Sequence, residues 1–473
     1  MKALEFASLK NVLGRWVRPV GLALAAVLLV LPWFLNIDGL SESGTRMLGI
    51  FLMAIVLWVT EAIPLHATAA LIILLEILLI SDQAFDVPSG AEPPPFTEFF
   101  GALAHPVIML FLGGFFLAEG SAKFHLDRNI ARVMLRPFGT SWKAIMLGLM
   151  VITAGLSMFM SNTATTATLM AVVLPVLATL DRSDRLRVGL ALAIPVAANI
   201  GGMGTPVGTP PNAIAVGSLA ESGNAVSFLQ WMIVAVPVSI VLLLIAWFAM
   251  TRLFPSSAGE LNVQIDATFD SSGPAWIFYA TFIATVVLWL TEPIHGMPSS
   301  VVGFLAVAIL LATRVFSGRD LQSIQWAVLW LVAGGIALGI GVGSSGLDEW
   351  LVGNVDWTSI PTGLIVIVLA VVALLLSTVI SNSAATNLLM PIGLSLAITA
   401  GLGLNPVIVA FFVAIGASLA MALPVSTPPN AIAYSTGTVT TRNMAVIGLI
   451  VGIVGLLMFA VVAPPLWGLL GFS

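Results

Sequence analysis

Ser161-Asn162-Thr163 and Ser381-Asn382-Ser383 each gather hydroxyl and amide groups inside long apolar runs. Ser157 and Ser377 lie four residues earlier, on the same helical face as Ser161 and Ser381. An unsatisfied polar group is costly in such surroundings, so each triplet calls for partners or a ligand. Two further stretches, GGMGTPVGTPPN at 201–212 and ALPVSTPPN at 422–430, cannot be continuous helix. Proline removes backbone donors and glycine permits close approach. Each break therefore frees carbonyls on one side and starts a new helix, at Asn212 or Asn430, on the other. Free carbonyls suit a hard cation and a helix N-terminus suits an anion, so one loop can serve both side by side. Taken singly, a Ser or Thr can simply back-bond within its own helix. A triplet duplicated beside a duplicated TPPN points instead to a binding site.

The elements that must hold these groups are set by composition. Of 473 residues, 59% are hydrophobic and 8% charged, whereas a soluble chain is about a quarter charged. The mean hydropathy is +1.09, and the apolar runs are long enough to cross a bilayer. The fold class is therefore an all-α polytopic membrane protein in a lipid bilayer. A cytosolic enzyme is excluded, and a net charge of -5 offers no basic surface for nucleic acid. The lack of Cys removes disulfides, thiol catalysis and thiolate metal sites, and the four His are scattered without metal spacing. There is no P-loop, and no Ser pairs with a His and an acid at hydrolase spacing, so the chain is not read as an enzyme.

Spans are predicted near 19–37, 45–63, 65–82, 105–125, 228–252, 273–291, 298–315, 324–345 and 444–468, with apolar but broken regions at 140–222 and 357–437. Residues 1–44 read as a cytoplasmic N-terminus and a retained first helix. Lys2, Lys10, Arg15 and Arg18 precede that helix as in a signal peptide, but it is long and no small-residue cleavage site follows. With the N-terminus inside and re-entrant hairpins around 161 and 381, 16 of the 17 basic residues fall inside and only Arg46 outside. Cytoplasmic loops hold the excess of Lys and Arg. The split predicts eleven crossings of the inner membrane, with the C-terminus on the outer side.

The chain is written twice. SNTATT at 161–166 recurs as SNSAAT at 381–386 (offset 220), GTPPNAIA at 208–215 as STPPNAIA at 426–433 (218), and Gly113-Gly114 as Gly334-Gly335 (221). Trp58-x-Thr60-Glu61 recurs as Trp289-x-Thr291-Glu292 at 231, the extra residues of the first copy fitting the Pro-rich acidic loop at 82–98. The units are 45–253 and 273–468, joined by a cytoplasmic linker at 254–272. Five crossings per unit is an odd number, so the second copy is inverted, as in secondary transporters with a site near the midplane. After Gly113-Gly114 an interfacial helix is predicted with Leu126, Ile130, Val133 and Met134 on one face and Lys123, Arg128, Arg132 and Arg136 on the others. Its counterpart carries Asp348, Glu349, Trp350 and Asp356.

No Lys or Arg lies at depth in this arrangement, so an anion would be held by hydroxyls, side-chain amides and four helix N-termini. A co-bound cation would then supply the counter-charge, which couples the two. Glu61 and Glu292 read as capping or scaffold hydrogen bonding rather than a proton relay. Glu76 and Glu119 are expected to snorkel to an interface, and His66, His105, His125 and His295 to make interfacial hydrogen bonds.

The SNT-type tips paired with TPPN breaks resemble the divalent anion/sodium symporter family, carriers of dicarboxylates, citrate and sulfate, and the resemblance covers nearly the whole chain. It implies a homodimer with a scaffold near 45–125 and 273–345 and a transport part, 140–253 and 357–468, that moves as an elevator. Sodium would be co-transported. By position, the resemblance implies one sodium site at Ser157, Ser161, Asn162 and the backbone of Gly208. A second would use Ser377, Asn382 and backbone near Ile380 and Ser426. Substrate carboxylates would meet Ser161, Asn162, Thr163 and Thr209 on one side and Ser381, Asn382, Ser383 and Thr427 on the other. Ser383 stands where the family pattern has Thr, and the lost methyl bears on which diacid fits. The expected function is sodium-coupled symport of a C4-type dicarboxylate such as succinate, malate or fumarate. The alternative is a diacid exchanger, or a citrate or sulfate carrier.

Overall fold

The computed structural model describes residues 17–89, 92–256, 260, 261, 263, 265, 268–353, 357–399 and 402–469, so Lys2, Lys10, Arg15 and Asp356 lie outside the described residues. Helices α1 (Val17–Phe34), α2 (Glu42–Thr60), α3 (Leu65–Leu79) and α4 (Pro106–Lys123) lead to a short surface helix, α5 (Leu126–Leu135). A helical hairpin follows, α6 (Trp142–Ser157) and α7 (Asn162–Thr179), then a helix broken into α8 (Leu186–Gly202) and α9 (Pro210–Glu221), then the long α10 (Phe228–Leu253). The same order returns as α11 (Gly273–Leu290), α12 (Ser299–Ala312), α13 (Trp326–Ser344) and the short α14 (Leu347–Gly353). The hairpin α15 (Thr362–Val379) and α16 (Asn382–Thr399), the broken pair α17 (Pro406–Ser418) and α18 (Pro428–Ser435), and α19 (Thr441–Leu469) complete it.

Helices dominate because hydrocarbon leaves the backbone no partner but itself. Their starts are marked by the residues that satisfy orphan N–H groups: Ser227 and Gln230 form a capping box at α10, and Asn405 Oδ1 accepts the Val407 N–H at 2.9 Å at α17. The new helices after the breaks begin at Pro210 and Pro428 rather than at Asn212 and Asn430. Proline's fixed φ suits the first helical turn, so Thr209 and Thr427 take the extended N-cap positions, with φ of -141° and -142°.

Hydrogen bonds between loops sort the helix ends into two sides. On one side Lys123 Nζ reaches Asp320 Oδ2 at 2.8 Å, Ser256 Oγ reaches Asp184 Oδ2 at 2.6 Å, and the Leu261 N–H reaches Thr140 O at 2.8 Å. Both outer ends of the α6–α7 hairpin are therefore on that side, with the basic loops. On the other side Trp350 Nε1 donates to Asp38 O at 3.0 Å, and buried Arg46 is held between Glu42 and Asp86.

The repeated motifs close turns and bring helices together. Trp58 Nε1 donates to Leu65 O at 3.4 Å and Trp289 Nε1 to Ser299 O at 2.9 Å, each fastening one helix to the next, and the Ser299 hydroxyl donates to Glu292. Helix α4 packs on α12 and α13 on α3, an exchange between the halves. A Cβ on Gly113 would lie 2.6 Å from Gly303 Cα, and one on Gly334 would lie 2.3 Å from Ala69 Cβ. The second glycine of each pair faces the hairpins and breaks: a Cβ on Gly114 would meet Val207 at 3.1 Å, and one on Gly335 would meet Asn387 Oδ1 at 2.0 Å.

One expectation is refined and one changes. In α5 the buried residues are Asp127, Ala131 and Leu135, with Val133 and Met134 turned outward. Asp127 is drawn in by the Thr168 hydroxyl at 2.9 Å, and of the apolar face Leu126 and Ile130 stay half-buried against the core while Val133 and Met134 are left for lipid. Glu76 does not snorkel. Helix α3 turns it inward against Met47 and Gly341, it is fully buried, and neither carboxyl oxygen has a hydrogen-bond partner among the described residues.

Gly113→Ala should cost about 1–3 kcal/mol in a thermal unfolding assay, because the neighbour it meets is backbone. Gly339→Ala, where a Cβ meets nothing within 4 Å, should be neutral or slightly stabilising. Burial raises the Asp320 carboxyl, but hydrogen bonds from Lys123 and Ser317 outweigh it and hold the pKa at about 2. A depressed folded pKa gives stability that is present above the unfolded value of about 3.9 and lost as pH falls through the folded one. Asp320→Asn should therefore lower stability at neutral pH by about 1 kcal/mol, a partly exposed pair being worth little more, and the difference should disappear between about pH 4 and 2.

Candidate functional site

Both hairpin tips and both helix breaks meet in one cavity of about 410 Å³. Ser161, Asn162 and Thr163 enter from one tip and Ser381, Asn382 and Ser383 from the other; Gly208 and Thr209, and Ser426 and Thr427, enter from the breaks. Phe111, Gly114 and Phe115 of α4 and Val328 and Leu331 of α13 form the wall. Helices α7, α9, α16 and α18 all begin here, so four sets of N-terminal N–H groups and positive dipole ends share the space. No described residue lining it is Lys, Arg, Asp or Glu. Leu65, His66 and Gln325, at the starts of α3 and α13, also line it, and both helix starts lie on the side of the basic loops. His66 is thus a cavity residue as well as one near a helix end.

Behind each tip lies the same oxygen cluster. Buried Ser157 Oγ bonds Asn162 Oδ1 and lies 2.9 Å from Ala198 O. Ser377 Oγ lies 2.7 Å from Asn382 Oδ1 and 2.8 Å from Ala417 O. One hydroxyl proton cannot serve two acceptors at once, so each cluster holds more acceptors than donors. An all-oxygen, acceptor-rich set is what a hard cation requires. Ser157, Ser377 and Ile380 stand behind the lining; Ile380 caps α15 with its N–H on Leu376 O. Glycine at 202 and 208 lets the layers touch: a Cβ on Gly202 would fall 2.5 Å from Asn162 Oδ1, and one on Gly208 would fall 2.2 Å from Gly202 O.

The carbonyls freed by the breaks are not all left free. Asn212 Nδ2 collects Gly202 O, Met203 O and Thr205 O at 3.1, 3.2 and 2.8 Å. Asn430 Nδ2 collects Met421 O and Leu423 O at 2.8 and 3.0 Å. The Asn of TPPN thus stitches its own loop, because unpaired carbonyls at this depth are costly. Each loop is also pinned to its hairpin, by Thr205 Oγ1 donating to Met158 O and by Ser426 Oγ donating to Thr378 O at 3.0 Å.

Thr205, Asn199 and Ser418 were not singled out from the sequence. Thr205 takes in the first half the role Ser426 has in the second, although Ser426 aligns with Gly208, so no alignment of the repeats pairs them. Asn199 lines the cavity and Ser418 sits at the mirrored position, each one residue past the carbonyl that its hairpin serine meets.

Fold and site together define a membrane transporter. The chain belongs to the divalent anion/sodium symporter family: the family model described as "Sodium:sulfate symporter transmembrane region" matches residues 15–473. A Staphylococcus saprophyticus protein named sodium-dependent dicarboxylate transporter SdcS is 30% identical, covering 95% of this chain and 92% of its own. A Staphylococcus aureus protein of the same name is 30% identical, covering 94% and 90%. In fold alone, the chain is similar to the Alcanivorax borkumensis YdaH transporter, with a TM-score of 0.58 at 14% identity over 91% of this chain and 99% of that one. It is also similar in fold to Neisseria gonorrhoeae MtrF, with a TM-score of 0.55 at 12% identity over 87% and 96%.

Asn162→Asp and Asn382→Asp place a negative charge in a cavity with no cationic side chain. Like charge facing an anion costs several kcal/mol, so uptake should fall by about a hundredfold or more while the thermal unfolding midpoint stays near that of the parent protein. Wild-type uptake by both variants would remove these tips from the site.

Proposed function

We propose that this protein is a sodium-coupled symporter of a C4-type dicarboxylate such as succinate, malate or fumarate in the inner membrane, with its N-terminus in the cytoplasm and its C-terminus outside. The observation that carries the reading is the pairing of an anion cavity without fixed charge with two acceptor-rich oxygen clusters directly behind it. Sodium ions in those clusters would neutralise the substrate carboxylates, so neither species is held well alone. The names of the staphylococcal relatives support the sodium and dicarboxylate parts.

In this proposal one sodium lies among Ser157, Ser161, Asn162 and Gly208, and the other among Ser377, Ile380, Asn382 and Ser426. One carboxylate meets Ser161, Asn162, Thr163 and Thr209, and the other meets Ser381, Asn382, Ser383 and Thr427. The doubled half-sites favour a substrate with two like ends. We propose further that 45–253 and 273–468 are inverted repeats, that the protein is a homodimer, and that helices α2–α4 and α11–α13 form a scaffold. Against it the hairpins, broken helices, α10 and α19 would rise and fall as an elevator. Gly114 and Gly335 would form the face on which they slide, since neither presents a side chain.

Proteoliposomes test the reading directly. An inward sodium gradient should drive succinate accumulation without any internal diacid, and collapsing the gradient should abolish it. Uptake that ignores sodium refutes coupling. Uptake that requires preloaded diacid makes the protein an exchanger, and uptake restricted to citrate or sulfate refutes the substrate class.

A further inference from the structure

We propose that Asn199 is a positioning residue that holds the two carboxylate subsites at a fixed separation and so selects the chain length of the diacid; this rests on the dicarboxylate reading above. Asn199 lies near the end of α8, lines the cavity and is 3% exposed. Its Nδ2 crosses between the halves to Thr427 Oγ1 at 3.2 Å and Asn430 Oδ1 at 3.3 Å. Thr427 Oγ1 in turn accepts the Asn430 N–H at 3.3 Å, capping α18. Asn199 therefore sets the orientation of the hydroxyl that faces the substrate.

The contact closes a path between the two facing helix starts. From Thr427 and Asn430 it passes through Asn199 into the last turn of α8, where Gly202 O and the adjoining Met203 O accept from Asn212 Nδ2. Asn212 belongs to the first turn of α9, whose N-cap is Thr209. The distance between Thr209 and Thr427 is thus held by side-chain hydrogen bonds as well as by packing.

The mirrored tie is weaker. Ser418 Oγ lies 3.5 Å from Thr209 Oγ1, at the limit of a hydrogen bond. Asn212 Oδ1, which mirrors the Asn430 oxygen bonded by Asn199, is buried with no partner among the described residues. A serine side chain ends short of where an asparagine amide reaches. Asn199 is therefore the principal cross-link, and its loss should leave the subsites free to part.

The test is sodium-driven uptake of labelled succinate by the full-length protein in proteoliposomes, with unlabelled malonate, succinate and glutarate as competitors. Asn199→Ala should raise the KM for succinate about fivefold, the effect of losing one buried neutral hydrogen bond, with maximal rate little changed. The ratio of half-inhibiting glutarate to half-inhibiting succinate should fall by a similar factor. Asn199→Ser, which makes the halves alike, should shift the ratio in the same direction by less and serves if the alanine variant is not recovered folded. A folded, transporting variant whose competitor ratio equals that of the wild type overturns the assignment. Wild-type protein that takes up no diacid overturns the functional reading itself.

Discussion

Backbone that leaves the helix at membrane depth must find partners within the protein, and the rest of the structure depends on how the two breaks meet that constraint. Asn212 and Asn430 answer it by turning their amides back onto the carbonyls of their own loops. This fixes the loops tightly enough for new helices to start after Thr209 and Thr427 at the cavity. The hairpins must then end at the same depth, where Thr205 and Ser426 fasten them to the loops. A polar site without a charged wall results from making these bonds one after another.

The two halves are alike in plan but not in detail. Thr205 and Ser426 do the same work from different positions in the repeat, and Asn199 and Ser418 do unequal work from the same position. Duplication supplies a pair of half-sites, and single substitutions then separate their roles. Elsewhere the paired glycines stay alike: the first of each pair brings a wall helix onto its partner, and the second faces the hairpins and breaks without a side chain.

Much of the fold was legible from the sequence because hydrophobic run length and repeated motifs are local signals. The tips at 161–163 and 381–383, the breaks and the surface helix after Gly113-Gly114 all lie where the pattern put them. Helix starts shifted by two residues at TPPN because proline favours the first turn over its exterior. Glu76 was misread because its apolar helix gives no sign of which face turns inward; only the packing of α3 on α13 decides that.

The sequence alone determined that this is a membrane chain, that its motifs are doubled, and which polar triplets stand out from the apolar runs. Those conclusions follow from residue type and spacing, which need no knowledge of neighbours. The tertiary structure decided that the freed carbonyls are mostly taken by asparagine amides and that Asn199 reaches Thr427 across the halves. The amide bonds stay within one loop but depend on how the loop folds back, whereas Asn199 and Thr427 are 228 positions apart and meet only because one half is packed against the other.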